Sequence, residues 1–293
     1  IYGSAWENDM DFTQFVVMFK SLFLEGFSRP KGGVRTIIDL LEKKYHEVGG
    51  ELCFRQAVTS IEKCEKGLLV TLKNGQKLKA KRVFSSAGHP ETMKMVEGYP
   101  QNDLPRQGQL SFTESIFVLK EKIPQDRWDP TIVFYNHRSR YQYQNPKSFW
   151  DDQSAVICCP DHYQGQDLVG EGTLRVTMLS DYDAWKTLDR STYKEKKQEL
   201  SKVSWNLLSR VIPNLKSEVV YQDHFTPKTV ERYTWHHRGC VYGSVDKTRN
   251  GKTPVQGLYI IGTDQGYLGI VGAMLSGISL ANLYGLMGDS HAL

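Results

Sequence analysis

Apolar residues along this chain recur with two periods, and each stretch predicts an element. Val34, Ile37, Ile38, Leu40, Leu41, Tyr45 and Val48 follow helical spacing, and Gly49-Gly50 ends the pattern. Ahead of it, Asp11 to Phe27 is strongly apolar but broken by Lys20 and Glu25, which predicts a buried or entrance-lining helix more readily than a bilayer span. Arg29-Pro-Lys-Gly-Gly33 separates the two helices. Short strands are then expected at Glu51–Phe54, Ala57–Glu62, Leu68–Leu72 and Gln76–Ala80, with Asn74-Gly75 as a hairpin turn. Arg82 to Pro90 reads as a strand ending in small residues, where a backbone can approach a ligand.

From about 100 to 225 the pattern changes. Leu110–Leu119, Thr131–Tyr135, Ala155–Cys158, Thr173–Leu179 and Glu218–Tyr221 are strand-like, and Tyr193–Val211 is helical. This predicts a mostly antiparallel sheet with flanking helices, inserted into another domain. Pro227 opens a further helix. The last patterned block, Gly257 to Asn282, predicts a strand at Leu258–Ile261, a glycine-rich turn carrying Asp264, and a helix from Ile270 onward. Gly269, Ala273, Gly277 and Ala281 form a row four residues apart, giving that helix one nearly bare side suited to a sheet or a flat cofactor. Its N-terminus would offer unpaired N–H groups to an oxygen that becomes anionic. A membrane span is the alternative on length, since Tyr267–Met287 carries no charge; its glycines, serines and asparagine, and the lack of flanking Lys or Arg, weigh against that. A buried structural helix with no ligand is a second alternative, and the cofactor-facing helix is the favoured reading.

Composition narrows the classes. With 293 residues, 40% hydrophobic and 24% charged, the chain suffices for a large core and two domains. Its 37 basic and 33 acidic residues are too evenly balanced to imply nucleic acid. The five cysteines include no Cys-x-x-Cys pair, which argues against a zinc site and favours a reducing, cytoplasmic setting. No secretory pattern opens the chain.

Several blocks taken in order resemble a known family. They are Pro30-x-Gly-Gly33, Gly49-Gly-Glu51, Val58-x-x-Ile61, Gly75 in a hairpin, Val83-Phe-Ser-Ser-Ala-Gly-His-Pro90, Thr226-Pro-x-Thr229, Arg232-Tyr-Thr234, Tyr242-Gly243 and Gly257–Asn282. Together they resemble the phytoene desaturase and retinol saturase group of FAD-dependent oxidoreductases, within the amine-oxidase-like flavoproteins. The resemblance covers residues 29–98 and 226–285. It implies a mixed α/β fold: an incomplete Rossmann-like FAD-binding domain (29–98 and 226–293) holding an antiparallel-sheet substrate domain (99–225), with 1–28 as an apolar helix near the substrate entrance. No Gly-x-Gly-x-x-Gly follows any strand, so the resemblance further implies a C-terminal portion of a longer flavoprotein, whose N-terminal half would be its partner.

The same resemblance assigns roles. Gly32 and Gly33 would lie close to the flavin ring, Val58 would pair with the adenine edge, and Ala87 would face the adenosine half. Gly262, Thr263 and Asp264 would reach the ribityl or phosphate region, and backbone N–H groups of Gly269, Ile270 and Val271 would face the ring edge that gains charge on reduction. Each has a structural alternative: helix start, core strand, or turn acid. No metal is expected. Tyr267 is the first candidate for proton transfer; Tyr233, His236 and His237 are weaker ones, more readily a buried aromatic and a solvent-facing histidine pair. The implied reaction is hydride transfer that desaturates or saturates a carbon–carbon bond of a lipophilic isoprenoid, carotenoid or retinoid. The alternatives are an amine oxidase and a fragment unable to hold FAD. Trp128, Phe134, Tyr135, Tyr141, Tyr143, Phe149 and Trp150 would line the substrate path or fill the core. A peripheral membrane contact would follow from a lipid-like substrate.

Overall fold

Among the described residues, a three-stranded sheet, a five-stranded sheet and one short parallel pair organise the chain. The computed structural model describes residues 5–7, 12–163, 165, 170–215 and 218–286. They fall into two compact units. The first comprises Met10–Cys53 and Phe112–Thr226; the second comprises Tyr2–Asp9, Phe54–Ser111 and Pro227–Leu293.

The first unit opens with α1 (Phe12–Phe19), continued as a wider helical turn to Glu25, and α2 (Val34–Glu47). Gly33, at φ +77°, starts α2. The predicted strand at Glu51–Phe54 does not form: these residues are exposed turn and coil. Four residues with no neighbouring strand to pair with have nowhere to place their backbone hydrogen bonds.

A three-stranded antiparallel sheet belongs to the second unit: β1 (Val58–Cys64), β2 (Gly67–Leu72) and β3 (Lys77–Ala80). The Asn74-Gly75 turn closes β2 to β3 as expected. Gly75 takes φ +86°, and Oδ1 of Asn74 accepts the N–H of Gln76 at 3.0 Å. Then follow β4 (Val83–Ser85) and α3 (His89–Met95), which starts on Pro90.

The first unit's five-stranded sheet is built from β5 (Ser111–Leu119), β6 (Ile132–Asn136), β7 (Ser154–Cys158), β8 (Gly172–Ser180) and β9 (Val219–Phe225), in spatial order β6-β7-β8-β5-β9. The short α4 (Tyr182–Lys186) and the long α5 (Arg190–Val211) precede β9. Leu200, Ser204, Leu207 and Leu208 of α5 are buried at helical spacing. They join a core that includes Phe117, Ile157, Leu174, Val176, Met178 and Trp185. Trp128 and Trp150 are part of this core and Tyr135 and Phe149 pack against it, so core is the role of most of the predicted path-lining aromatics. Phe134 and Tyr141 are partly exposed, and Phe134 lies 5.8 Å from Phe23 in a phenylalanine series that continues through Phe19, Phe15 and Phe12.

The second unit is completed by α6 (Pro227–Thr234), β10 (Leu258–Ile260) and α7 (Gly269–Leu280). α7 runs on as a wider helical turn to Leu286, and Gly269–Leu286 is long and apolar enough to cross a membrane by length and composition alone. The buried row of this helix is Gly272, Ser276, Leu280 and Tyr284. The predicted bare row is one position out of phase: Gly269, Ala273 and Ala281 face outward within the unit and Gly277 is half-buried. Volume decides the phase. Tyr284 stacks on Tyr259 at 4.1 Å and Leu280 is buried beside it, so the two largest side chains available to that face are the ones covered.

Candidate functional site

β4 and β10 pair in parallel, Val83 with Leu258 and Ser85 with Ile260, so their C-terminal ends lie side by side. Each strand runs into a glycine-bearing turn and then a helix: Ser86-Ala87-Gly88 into α3, and Gly262 to Leu268 into α7. Loops at the carboxyl ends of adjacent parallel strands are the usual place for a ligand in such folds.

Asp264 is the centre of the second loop. It is 1% exposed, and both of its carboxylate oxygens accept hydrogen bonds. Its Oδ2 accepts the N–H of His89 at 2.6 Å; its Oδ1 accepts the N–H of Ser244 at 2.8 Å and the ammonium of Lys247 at 3.2 Å. A buried carboxylate is tolerated where charge and donors meet it on both oxygens. Gly243, at φ +68°, leaves the space that Oδ1 needs, because a Cβ there would collide with it. Ser244 is held through Oγ, which donates to the carbonyl of Arg106 at 2.6 Å. Arg106 in turn clamps Asp246 at 2.7 Å, and that guanidinium holds the Asp246 carboxyl below the usual range.

The turn itself is set by two hydrogen bonds. The N–H of Gly262 donates to Oγ of Ser276 at 2.6 Å, and the N–H of Gly266 donates to the carbonyl of Thr263 at 3.0 Å. Gly262, Gly266 and Gly269 all take positive φ, at +83°, +113° and +74°. No side chain caps α7, and a Cβ added at Gly269 would meet nothing within 4 Å. The helix therefore presents open backbone donors beside exposed Ile270 and Val271. Tyr267, 47% exposed, packs its backbone against Gly272 at the same end.

The remaining predicted residues fall at varied places. Ala87 lies in the β4 turn, half-buried, with its N–H toward Oγ of Ser85 at 3.4 Å. Val58 opens β1, pairs with Leu72 and packs against the core of Ile61, Leu68, Met93 and Leu258. Gly32 and Gly33 belong to the first unit. Tyr233 is 76% exposed, with the Arg232 guanidinium 5.7 Å over its ring, so it is no buried aromatic. His236 and His237 are not a solvent-facing pair either. His236 is 9% exposed, and burial pushes both imidazoles below the ordinary histidine value.

Sequence reasoning missed Glu91, Ser244, Lys247 and Ser276. Glu91 is 8% exposed, and its Oε1 accepts the N–H of His237 at 2.6 Å. In the sequence it reads as a first-turn acid after His89-Pro90, a pattern ordinarily solvated; no spacing rule connects it with His237. Glu91, His236 and Asp264 bring one potential ligand atom each within 4.8 Å of one another. The second unit also has a cleft of about 490 Å³ lined by Glu62, Lys63, Val96, Tyr99 and Val255, which contains none of the predicted residues.

An anionic, hydroxyl-rich cofactor suits this arrangement. The donors at the start of α7 are uncovered, and among the described residues Oδ2 of Asp264 accepts a single hydrogen bond, which leaves it one lone pair. The profile of the flavin containing amine oxidoreductase family matches residues 2–283. The all-trans-retinol 13,14-reductase of Danio rerio is 24% identical over 306 residues, spanning 89% of this chain and 50% of that protein. The chloroplastic prolycopene isomerase of Daucus carota is 25% identical over 282 residues, spanning 88% of this chain and 44% of that protein. Among solved structures, an oxidoreductase from Methanosarcina mazei superposes with a TM-score of 0.56 at 15% identity, covering 86% of this chain and 55% of that one. A putrescine oxidase variant gives 0.56 at 16% identity, covering 86% and 52%. The solved structures speak for the mixed helix-and-sheet fold, and the chain spans about half the length of the relatives it matches.

Proposed function

The chain belongs to the flavin containing amine oxidoreductase family, whose cofactor is FAD, and on that premise we propose that it forms part of an oxidoreductase acting on carbon–carbon bonds of a lipophilic polyene. The observation that carries the reading is the buried Asp264 at the foot of an open glycine turn, immediately before the uncapped α7. Support for the substrate class comes from relatives named for a retinol and for prolycopene, and from the ordered sequence blocks that resemble the desaturase and saturase group.

In this reading FAD supplies the hydride chemistry. Asp264 orients the cofactor's sugar-alcohol chain through its free Oδ2 lone pair, while Gly262 and Thr263 keep that approach unhindered. Backbone N–H groups of Gly269, Ile270 and Val271 stabilise charge that develops at the ring edge. Ala87 leaves room beside the adenosine half, and Val58 meets its base. Tyr267, exposed at the head of α7, is placed to hold or release a proton. A longer chain carrying an N-terminal half would supply the phosphate cradle, and a lipid-like substrate would bring the protein to a membrane surface.

The test is spectroscopic and catalytic. Purified protein, alone and joined to an upstream segment, is mixed with FAD and its visible flavin absorbance and fluorescence quenching are measured, with Asp264→Ala as the control. Retention that falls at least tenfold in the variant supports the reading. Loaded protein is then given a retinoid or carotenoid polyene and, separately, a primary amine. Turnover of the amine alone overturns the substrate class, and retention indifferent to Asp264 overturns the site.

A further inference from the structure

The five-stranded sheet of the first unit has two unlike faces. Phe117, Ile157 and Val176 point into the core that α5 covers. On the opposite face the register sets side chains in rows. Ile132 pairs with Cys158, and Cys158 with Arg175. Glu114 of β5 pairs with Phe225 of β9. Arg175 and Glu114 join these halves: Nε donates to Oε1 at 2.5 Å, and Nη2 contacts the same oxygen. One row thus crosses all five strands, with an ion pair at its centre and apolar side chains to either side. None of its five residues is fully buried. The neighbouring row begins Phe134, Val156 and Thr177. Onto Phe134 leads a series of partly exposed rings, Phe12, Phe15, Phe19 and Phe23, at successive spacings of 6.4, 5.9, 5.0 and 5.8 Å.

We propose that this face binds an apolar chain ending in a hydroxyl, with the chain along the phenylalanine series and the Phe134–Val156 row and the hydroxyl on the Glu114–Arg175 pair. The chemistry of the pair selects the end group. Nη1 of Arg175 keeps its donors and Oε2 of Glu114 its lone pairs, neither with a partner among the described residues. A chain laid across the row displaces the water that now serves these atoms, so its end group must replace that water. A hydroxyl accepts from Arg175 and donates to Glu114. A carboxylate would meet the charge of Glu114, an ammonium would meet that of Arg175, and a hydrocarbon would leave both atoms unserved. Two strand spacings, about 10 Å, separate β6 from β8, so the apolar chain must reach at least that far from Phe134.

The substrate class is thereby narrowed, and this step rests on the polyene reading: an isoprenoid alcohol fits the face better than a pure hydrocarbon, an acid or an amine. Glu114 and Arg175 choose the substrate's polar end and take no part in the hydride chemistry.

The experiment needs no flavin. Binding of all-trans-retinol to the purified chain is followed by the ligand's own fluorescence, and retinoic acid, retinylamine and the retinoid hydrocarbon lacking the end group compete for it. Retinol should bind about tenfold more tightly than each competitor, the effect of one hydrogen bond to a charged group. Glu114→Gln leaves the guanidinium uncompensated and should shift the preference toward retinoic acid. Arg175→Gln leaves the carboxylate and should shift it toward retinylamine. Loss of packing alone would weaken all four ligands together, so a uniform loss in both variants overturns the proposal, as does equal affinity of the parent chain for retinol and the hydrocarbon. Should neither variant fold, the ranking of the four ligands on the parent chain decides. The expected ranking without turnover of any polyene upholds this binding face and counts against the oxidoreductase reading. Polyene turnover with a flat ranking does the reverse.

Discussion

The backbone N–H of His89 donates to Oδ2 of Asp264 at 2.6 Å, joining two loops 175 residues apart in the chain. Parallel pairing of β4 with β10 makes the bond available, since it sets both loops at the same end of the pair. Replacing Asp264 by Ala strands the donors of His89 and Ser244 and the charge of Lys247. The expected loss is about 3 kcal/mol, read as a lowered midpoint in urea unfolding of the second unit. Asp264→Asn should lose less, because its amide oxygen still accepts.

Gly88 takes φ +105° with its missing Cβ directed at Glu91 and His236. Gly88→Ala should therefore cost more than 1 kcal/mol from backbone strain alone, on the order expected for a side chain forced into that region. Glu91→Gln combined with Gly88→Ala should not add, since both disturb one cluster. Additive losses in a double-mutant cycle would contradict the packing described.

Ser276 Oγ accepts the N–H of Gly262 at 2.6 Å, and both residues are buried. Ser276→Ala removes the acceptor and leaves that N–H unsatisfied, at a cost of about 1–3 kcal/mol. Amide exchange at Gly262 should accelerate in the variant, and a rate unchanged from the parent would sink this account of the turn.

In the first unit, His224 is 6% exposed, with Nδ1 on Oγ of Ser115 at 2.9 Å and Ser115 on Ser204 at 2.8 Å. Burial, reinforced by Lys197, pushes this imidazole down to about 4. A folded value below the unfolded one means the contribution to stability is whole above about 6.5 and is lost as pH falls toward 4. We expect acid destabilisation across that window, followed through the tryptophans of this unit. His224→Gln should flatten it; an identical acid limb in the variant would falsify the assignment.

Glu91 titrates with the opposite sense. Its folded value lies above the unfolded one, so its favourable contribution is whole below about 4.5 and fades as pH rises through the folded value. Glu91→Gln should thus be the more stable protein at alkaline pH, compared by thermal midpoints across a pH series.

Much of the architecture follows from local pattern. Asn74-Gly75 specifies its hairpin because only a residue tolerant of positive φ fits the turn, and the alternation in β2 chooses its buried face. The α5 stripe and the glycine turn before α7 are equally local. The expected strand at Glu51–Phe54 failed because strand formation depends on a partner the segment itself cannot supply.

For the site, the chain by itself determined the position and chemistry of the Asp264 turn, since glycine spacing, one acid and the start of an apolar helix are properties of consecutive residues. The tertiary structure alone decided what surrounds that acid. Glu91, His236, Ser244 and Lys247 reach the cluster from separate segments, and hydrogen bonds across 146 and 175 residues obey no periodicity. It also chose which face of α7 is covered: the bulk of Leu280 and Tyr284 outweighs a row of small residues, because buried area grows with side-chain size and is measured only after packing.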